Sequence, residues 1–404
     1  MDYKKDIALA LQAINRELDG MIQQDVHPGL LGGYSGMALF YAYYYQHSEA
    51  DEHLEKVHSL IERCVNDLSE MPLTGAHSAG IAGIAWTLQH LVRMGFMEED
   101  DMVDAFEEID TAIAGFMDTE LAEGRNDFLH QGVGVALYFL ERLPNEHAAK
   151  QLSRFVQYLK ASAVETPYGI AWKDQFSRSS QEDLENDYYN LGLAHGIPAI
   201  IAILARIYES GIETETTRYL VENSVRWVLS THNTDVSGYQ SRYPVLINAN
   251  HQAVHEKHSR LGWCYGDLGI ATSLWYTGAR LQRPDYQQAA MDVFHHVVQY
   301  RDEENGNIKD ACLCHGSAGV AHILHRVGAA SGDAQVQQGA LKWLQTTLQF
   351  NHHPEGPAGY RYFQHPDYID SYNLLEGITG IGLALLAFLD TNNSPDWDAS
   401  LLMS

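Results

Sequence analysis

The stretch CHGSAGVAHIL, residues 314–324, sets two glycines three positions apart and continues directly into an apolar run. We call this pattern, G-x-x-G followed by an apolar segment, a bracket. With local departures it occurs seven times: GGYSGMALFYAY (32–43), HSAGIAGIAWTLQHL (77–91), LHQGVGVALYFL (129–140), AHGIPAIIAIL (194–204), CYGDLGIATSLW (264–275), the stretch just quoted, and LEGITGIGLALLAFL (375–389). The second bracket positions are 47 to 70 residues apart, which leaves room for two helices per repeat.

The segments on the two sides of each bracket differ in hydrophobic pattern. Those that follow a bracket are apolar nearly all round, which is typical of a helix packed on both sides. Several that precede one have the three-and-four spacing of a half-buried helix: Ile7, Leu11, Ile14 and Leu18; Ile109, Ile113 and Phe116; Val221, Val225 and Val228; Leu341, Leu344 and Leu348. We therefore predict an inner and an outer ring of helices.

Neither end of the chain has the polar capping repeat that an open solenoid needs, and alternating strand patterns are hard to find. The sequence predicts an all-α fold, an α/α barrel (toroid) of seven helix pairs, as one domain over residues 1–404. Every bracket loop then faces one end of a central cavity. Two long polar stretches, at about 165–190 and 230–260, flank the fourth bracket, and we expect them to cover the mouth of that cavity.

Charge and composition exclude several classes of partner. The chain has 404 residues, and 53 acidic against 26 basic side chains give a formal net charge of −27. A field of this sign repels phosphate backbones and anionic lipid surfaces, so nucleic acid is excluded as a partner. No stretch approaches about 18 uncharged apolar residues, and the N-terminus lacks the apolar core of a signal peptide. We predict a cytoplasmic protein without membrane insertion.

The four cysteines are too few for a disulfide scaffold, so we infer the role of each one from its position relative to the brackets. Cys264 and Cys314 each stand two residues before the first glycine of a bracket, and His315 follows Cys314. Two thiolates and an imidazole are good Zn²⁺ ligands and leave a fourth tetrahedral position open, as in catalytic sites. The alternative is that the thiols pack as small hydrophobes and that His315 caps a helix. We interpret Cys312 and Cys64 as packing residues.

The motifs GWCYGDLG, CHGSAG and GLAHGIPA, together with the seven brackets, resemble those of the lanthionine synthetase C family, the cyclases of lanthipeptide biosynthesis. The resemblance covers essentially the whole chain. It implies an α/α barrel with one Zn²⁺ per chain, held by Cys264, Cys314 and His315. It also implies a Michael addition of peptide cysteine thiols to dehydroalanine or dehydrobutyrine, which forms (methyl)lanthionine thioether rings.

The same resemblance assigns further roles in the site. His195 matches the histidine of the A-H-G motif and is a candidate general acid or base, while Asp127 matches an aspartate ahead of the third bracket. Arg260 and Tyr265 match an R-x-x-x-C-Y pattern and are candidates for stabilising an enolate oxygen or for hydrogen-bonding a ligand; the alternative is that both only line the cavity. Two departures stand beside these residues: Gln131 replaces the first glycine of the third bracket, and Ala199 replaces the second glycine of the fourth.

Two more histidines, His77 and His130, are expected to face the same end of the ring and contact the substrate. The implied partners are a dehydrated precursor peptide, a separate dehydratase and a transporter. Two other functions stay open: a related zinc enzyme that adds glutathione or another small thiol to dehydroamino acids, and a non-catalytic, zinc-stabilised peptide-binding barrel. Prenyltransferase β-subunits share a zinc-bearing helical barrel, but their motifs differ from those of this chain.

Overall fold

The computed structural model describes residues 3–24, 26–98, 103–176, 187–234, 237–238, 240–254, 258–389 and 396–404. Within these ranges the chain is mostly helical. Helices that follow a bracket carry even numbers: α2 (Tyr34–Ser48), α4 (Ile81–Arg93), α6 (Val135–Glu141), α8 (Ile197–Glu209), α10 (Asp267–Arg280), α12 (Ser317–Ser331) and α14 (Ile378–Leu389). The long helices between them carry odd numbers: α1 (Tyr3–Ile22), α3 (Asp51–Glu70), α5 (Val103–Ala122), α7 (Glu146–Ser162), α9 (Thr214–Ser230), α11 (Pro284–Tyr300) and α13 (Ala334–Gln349). A single helical turn, Glu303–Gly306, is left unnumbered.

The even-numbered helices are buried on all sides, as their composition predicts. Every residue of α14 from Ile378 to Phe388 is buried, and α8 is buried from Ile197 to Ala205. The second bracket glycine explains how these helices begin. A Cβ on Gly319 would collide with the backbone carbonyl of Leu313, and one on Gly380 with that of Leu374, because the incoming chain crosses the first helical turn at that point.

The odd-numbered helices bury one face and expose the other. The predicted buried positions of α1 and α9 are all buried, and in α5 Ile109 and Ile113 are buried while Phe116 is partly exposed. One prediction was wrong: Leu341 on α13 is 41% exposed. The predicted Leu344 is buried and Leu348 is partly exposed, while Trp343, which the spacing did not include, is buried in place of Leu341.

The described chain forms two compact units, each built from separate segments. Unit one contains residues 1–74, 78–104 and 308–398, and unit two contains residues 75–77, 105–307 and 399–404. In unit one α2 packs against α3, α4 and α14, and α12 packs against α13 and α14. In unit two α8 packs against α6, α9 and α10, and α10 packs against α11. Each unit therefore repeats one arrangement: an even-numbered helix contacts its odd-numbered partner and neighbouring even-numbered helices.

Backbone hydrogen bonds join neighbouring bracket loops at matching positions within each unit. In unit one Cys314 donates its N–H to the carbonyl of Leu375, and Leu31 donates to Ser78, at 3.0 and 2.9 Å. In unit two Ala194 donates to the carbonyl of Cys264 at 3.2 Å. Each of these residues stands two positions before the first glycine of its bracket. Equivalent positions in the bracket sequences therefore make equivalent contacts in the structure.

Short hairpins interrupt the helices. Six three-residue strands form three antiparallel pairs among the described residues: β1 (Val164–Thr166) with β2 (Gly169–Ala171), β3 (Tyr188–Asn190) with β4 (Leu246–Asn248), and β5 (Tyr362–Gln364) with β6 (Asp367–Ile369). The β3–β4 pair joins the two long polar stretches to each other. Their predicted place over a cavity mouth stays a prediction, and residues 177–186, 235–236, 239 and 255–257 lie outside the described ranges.

No helix in the described ranges combines the length and the apolar character that crossing a membrane requires.

Candidate active site

Side chains with chemical function occupy two fixed positions of the brackets. The position directly before the first glycine holds His195, Tyr265 and His315, and His130 stands at the same place before Gln131. The position before that holds Cys264 and Cys314. In the fourth, fifth and sixth brackets the helix begins one residue after the first glycine, at Ile197, Asp267 and Ser317, so the side chains there lie beside a helix N-terminus, where partial positive charge stabilises anions.

His195 and Asp127 form a hydrogen-bonded pair inside unit two. Nδ1 of His195 lies 2.6 Å from Oδ2 of Asp127, and the carboxylate is fully buried while the imidazole is 15% exposed. A carboxylate can only accept, so Nδ1 carries the proton and Nε2 is left for exchange with a substrate. The structure thus brings together two of the predicted catalytic residues that are 68 positions apart in sequence.

Gln131, the departure in the third bracket, supports Asp127. The Gln131 side-chain carbonyl accepts the backbone N–H of Asp127 at 3.0 Å, and Oδ1 of Asp127 accepts the backbone N–H of His130 at 2.7 Å. A glycine at position 131 would leave the Asp127 N–H without this partner. The helix begins later here than in other brackets, since Gly134 is the N-cap of α6.

Aromatic rings enclose the His195 imidazole. Phe176 stacks on it with ring centroids 5.1 Å apart and planes 6° apart, and Tyr265 stacks at 5.6 Å. His130 lies 5.9 Å from His195 and 4.9 Å from Phe176. The neighbouring rings partly desolvate the His130 imidazole, which lowers its pKa, while Asp127 raises this pKa and His195 lowers it further.

Phe176 is a residue that sequence reasoning missed. It lies in a polar stretch with no bracket and no periodicity, so no pattern singles it out. Its position is fixed by Asp174, whose buried carboxylate accepts the N–H of Phe176 at 2.8 Å and the side-chain amide of Asn190 at 3.0 Å. Because Asn190 belongs to β3, the strand holds the aromatic ring against His195.

Cys264 is buried and forms no disulfide, and it lies on the segment next to His195. The two segments are in close contact, because a Cβ on Gly192 would lie 2.7 Å from both the Cys264 carbonyl oxygen and the Tyr265 ring. Gly266 has φ of +91°, a left-handed conformation that favours glycine, and it turns the chain from Tyr265 into α10.

A buried ion pair anchors the start of α10. Both carboxylate oxygens of Asp267 accept backbone N–H groups of Arg242 or Tyr243, and Oδ2 lies 3.5 Å from Nη1 of Arg301. Arg301 also donates to the carbonyl of Ser259 at 3.1 Å. Burial raises the pKa of Asp267 to about 6, against the hydrogen bonds and the guanidinium, which lower it. Only the position of Asp267 after a bracket glycine signals this anchor in the sequence.

Cys314 and His315 lie at the entry to α12 in unit one, with Cys312 nearby. Asp310, Cys312 and His315 form a group whose metal-binding atoms lie within 4.8 Å of one another. Cys312 is 1% exposed, and the N–H of His315 points to its sulfur at 3.5 Å. Cys312, which we predicted only to pack, thus also lies within ligand reach of His315.

The remaining predictions for the site concern the three metal ligands, Arg260 and His77. The predicted ligand Cys264 belongs to unit two, whereas Cys314 and His315 belong to unit one, and the three-residue set stays a prediction. Arg260 is exposed, and its role also stays a prediction. The expected substrate contact of His77 was wrong: its side chain is fully buried, its Nε2 lies 2.8 Å from the carbonyl of Ser400, and burial lowers its pKa to about 4.

A family model described as lanthionine synthetase C-like protein matches residues 24–402. The chain belongs to the lanthionine synthetase C-like family. Within the family, the nisin biosynthesis protein NisC of Lactococcus lactis subsp. lactis is 22% identical over 402 residues, which cover 92% of this chain and 88% of that protein. The resemblance identified from the bracket motifs is therefore confirmed.

A solved structure shares the fold of this lanthionine synthetase C-like protein. Nisin cyclase superposes with a TM-score of 0.78 at 20% identity, covering 99% of this chain and 98% of the other. Nisin cyclase is an α/α toroid, so the predicted fold class is confirmed. At this level of identity the likeness establishes the fold, and the reaction has to be argued from the site.

Proposed function

We propose that the protein is a zinc-dependent lanthipeptide cyclase that adds cysteine thiols of a dehydrated peptide to dehydroalanine and dehydrobutyrine. The observation that carries this proposal is the His195–Asp127 pair, whose segment is hydrogen-bonded to the segment of Cys264 and Tyr265. It combines an oriented proton carrier with a candidate metal ligand on adjacent loops. Membership of the lanthionine synthetase C-like family supports the reaction class.

Cys264, Cys314 and His315 would hold the zinc ion. The cysteines are buried and form no disulfide, and the two proposed thiol ligands occupy the same bracket position, which fits the soft donor set that zinc prefers. When bound, the metal supplies a Lewis acid that lowers the pKa of a substrate thiol, which is otherwise about 8.5 in the free amino acid.

His195 would carry the proton of the reaction. With its Nδ1–H held by Asp127, Nε2 has a free lone pair that can take the proton of the substrate thiol. The sulfur then bonds to the β-carbon of the dehydroamino acid, and the π electrons move onto the carbonyl oxygen as an enolate. The same Nε2–H returns the proton to the α-carbon, so one proton leaves sulfur and one reaches carbon.

Tyr265 and Arg260 would stabilise the enolate. A phenol and a guanidinium are hydrogen-bond donors suited to an oxyanion, and such donors matter most where negative charge develops. Tyr265 already lies against His195, at 5.6 Å between ring centroids. Arg260 precedes Cys264 by four residues, and its exposed side chain is free to follow a bound peptide.

The proposed substrate is a ribosomal peptide that a separate dehydratase has acted on. A transporter is a further proposed partner, because a modified peptide has to be exported. The competing function is addition of glutathione or another small thiol to dehydroamino acids, which needs the same chemistry. A non-catalytic, zinc-stabilised binding barrel needs no proton carrier, so the buried His195–Asp127 pair argues against it.

The test is a synthetic peptide with one dehydroalanine and one cysteine several residues away. Ring closure leaves the mass unchanged but removes the free thiol, so alkylation with iodoacetamide followed by mass spectrometry measures it. We expect the zinc-loaded protein to protect the peptide from alkylation and His195→Ala to lose at least about 100-fold in rate. His58→Ala, at an exposed histidine on α3, is the matched control.

A second arm replaces the internal cysteine by alanine and adds glutathione. A mass increase of one glutathione in this arm, together with no ring closure in the first, would support the small-thiol enzyme. Tight peptide binding without reaction in either arm would support the binding barrel and contradict the cyclase.

A further inference from the structure

We infer that Asp127, His130 and His195 form a second metal site, which binds a divalent transition metal ion such as Zn²⁺ or Co²⁺. One ligand atom from each residue lies within 4.8 Å of the others. All three residues belong to unit two, and none of them is among the proposed ligands of the cysteine-bound zinc. This site stands whether or not Cys264 binds a metal.

The fold places the two imidazoles side by side. His130 and His195 both stand directly before the first position of a bracket, so neighbouring loops present equivalent side chains. Phe176 stacks on both rings, with plane angles of 17° to His130 and 6° to His195. This stacking holds the rings in fixed orientations, which lowers the entropy that a metal ion has to overcome.

Asp127 supplies the carboxylate between them. Oδ1 accepts the backbone N–H of His130, and Oδ2 faces Nδ1 of His195. The carboxylate is fully buried, whereas His130 is exposed. A metal ion can therefore enter from the His130 side and reach a charged ligand that is already oriented.

The donor set selects the kind of ion. Two imidazoles and one carboxylate suit zinc, iron, cobalt, nickel or copper, whereas calcium and magnesium prefer oxygen ligands. Three protein ligands leave positions for water, as in open metal sites. An ion held between Oδ2 of Asp127 and Nδ1 of His195 has to replace the 2.6 Å hydrogen bond that joins them, and the imidazole proton then moves from Nδ1 to Nε2, so no proton is lost or gained.

Occupation of this site would remove both Asp127 and His195 from proton transfer. We expect excess Zn²⁺ to inhibit the proposed cyclase for this reason, at concentrations above those that fill the cysteine site. The second site then sets an upper limit to the zinc concentration at which the enzyme is fully active.

Cobalt titration of the zinc-loaded protein tests the site without any activity assay. Visible d–d absorption reports bound Co²⁺, and thiolate ligands add a charge-transfer band in the near ultraviolet. We expect one further equivalent of Co²⁺ with d–d bands and no thiolate band. His130→Ala should weaken this binding at least about tenfold, and His58→Ala on α3 should leave it unchanged.

Three results would overturn the site: no further cobalt bound below about 1 mM, cobalt bound with a thiolate band, or cobalt binding of equal affinity in His130→Ala. Because His130 is exposed, its substitution should not prevent folding. Asp127→Asn is the second variant, and it should weaken cobalt binding as well, because an amide is a poorer ligand than a carboxylate.

Discussion

At the scale of single residues, the buried Asp127 carboxylate orients the His195 imidazole through a 2.6 Å hydrogen bond. The sequence predicts His195, Tyr265 and Cys264 from their positions around bracket glycines, and it predicts the contact between their segments from neighbouring brackets. The bracket beside Asp127 departs from the pattern at Gln131, and the structure shows that the Gln131 side chain accepts the Asp127 N–H. Phe176 could not be predicted, since only the fold of a polar stretch places it on His195.

At residue scale, Asp127→Asn should abolish most of the cyclase activity while the fold is kept. An asparagine can present its NH₂ group to Nδ1 and so stabilise the wrong imidazole tautomer, with the proton on Nε2. By analogy with histidine–aspartate pairs in proteases, we expect a loss of about 10²–10⁴-fold in kcat. The measurement is the alkylation assay together with circular dichroism. Activity within about threefold of the unsubstituted protein would contradict the proposed role of Asp127.

At the scale of elements, the bracket is the unit that sequence predicts best. The helices begin where the glycines indicate, and the buried faces of α1 and α9 match the three-and-four spacing. The short strands β1 to β6 were not predicted, because three-residue hairpins in polar stretches carry no usable periodicity. On α13 the prediction holds for Leu344 but not for Leu341, because the buried Trp343 shifts the buried face away from Leu341.

Bracket glycines should be more sensitive to substitution than other helical glycines. Gly319→Ala places a Cβ against the Leu313 carbonyl, and we expect a loss of about 1–3 kcal/mol in the free energy of unfolding. Gly115→Ala, on the exposed face of α5 with open space around its Cβ, should instead stabilise by up to about 1 kcal/mol. Urea denaturation of both variants measures this. Equal effects would contradict the steric account of the bracket.

The buried Asp267–Arg301 pair should make stability depend on pH. Burial raises the pKa of Asp267 to about 6 in the folded chain, above about 3.9 in the unfolded one. The folded state therefore binds this proton more tightly, so the contribution of Asp267 to stability is present below about pH 4 and is lost as pH rises through 6.

Asp267→Asn should remove this pH-dependent contribution, which denaturation midpoints between pH 4 and 7 can measure. Arg301→Met leaves a buried carboxylate without its cation and should cost about 3–5 kcal/mol at pH 7. An unchanged pH profile in Asp267→Asn would mean that other groups control stability in this range.

At the scale of the whole molecule, the predictions rest on two features of the sequence, the repeated bracket and the net charge. Seven brackets predicted the α/α barrel class, because the same local pattern repeated in register is far more specific than one glycine pair. The net charge of −27 predicts that nucleic acid is not a partner, but it does not identify a substrate. The division into two compact units was not predicted, because each unit combines segments that are far apart in sequence.

The central claim is that this barrel holds one zinc ion through Cys264, Cys314 and His315. Elemental mass spectrometry of the purified protein, treated with a weak chelator to strip the second site, measures zinc per chain. We predict about one zinc ion per chain, retained in Cys64→Ala and Cys312→Ala and lost in Cys264→Ala and Cys314→Ala. Zinc retained in the last two variants, or absent from the unsubstituted protein, would contradict the account.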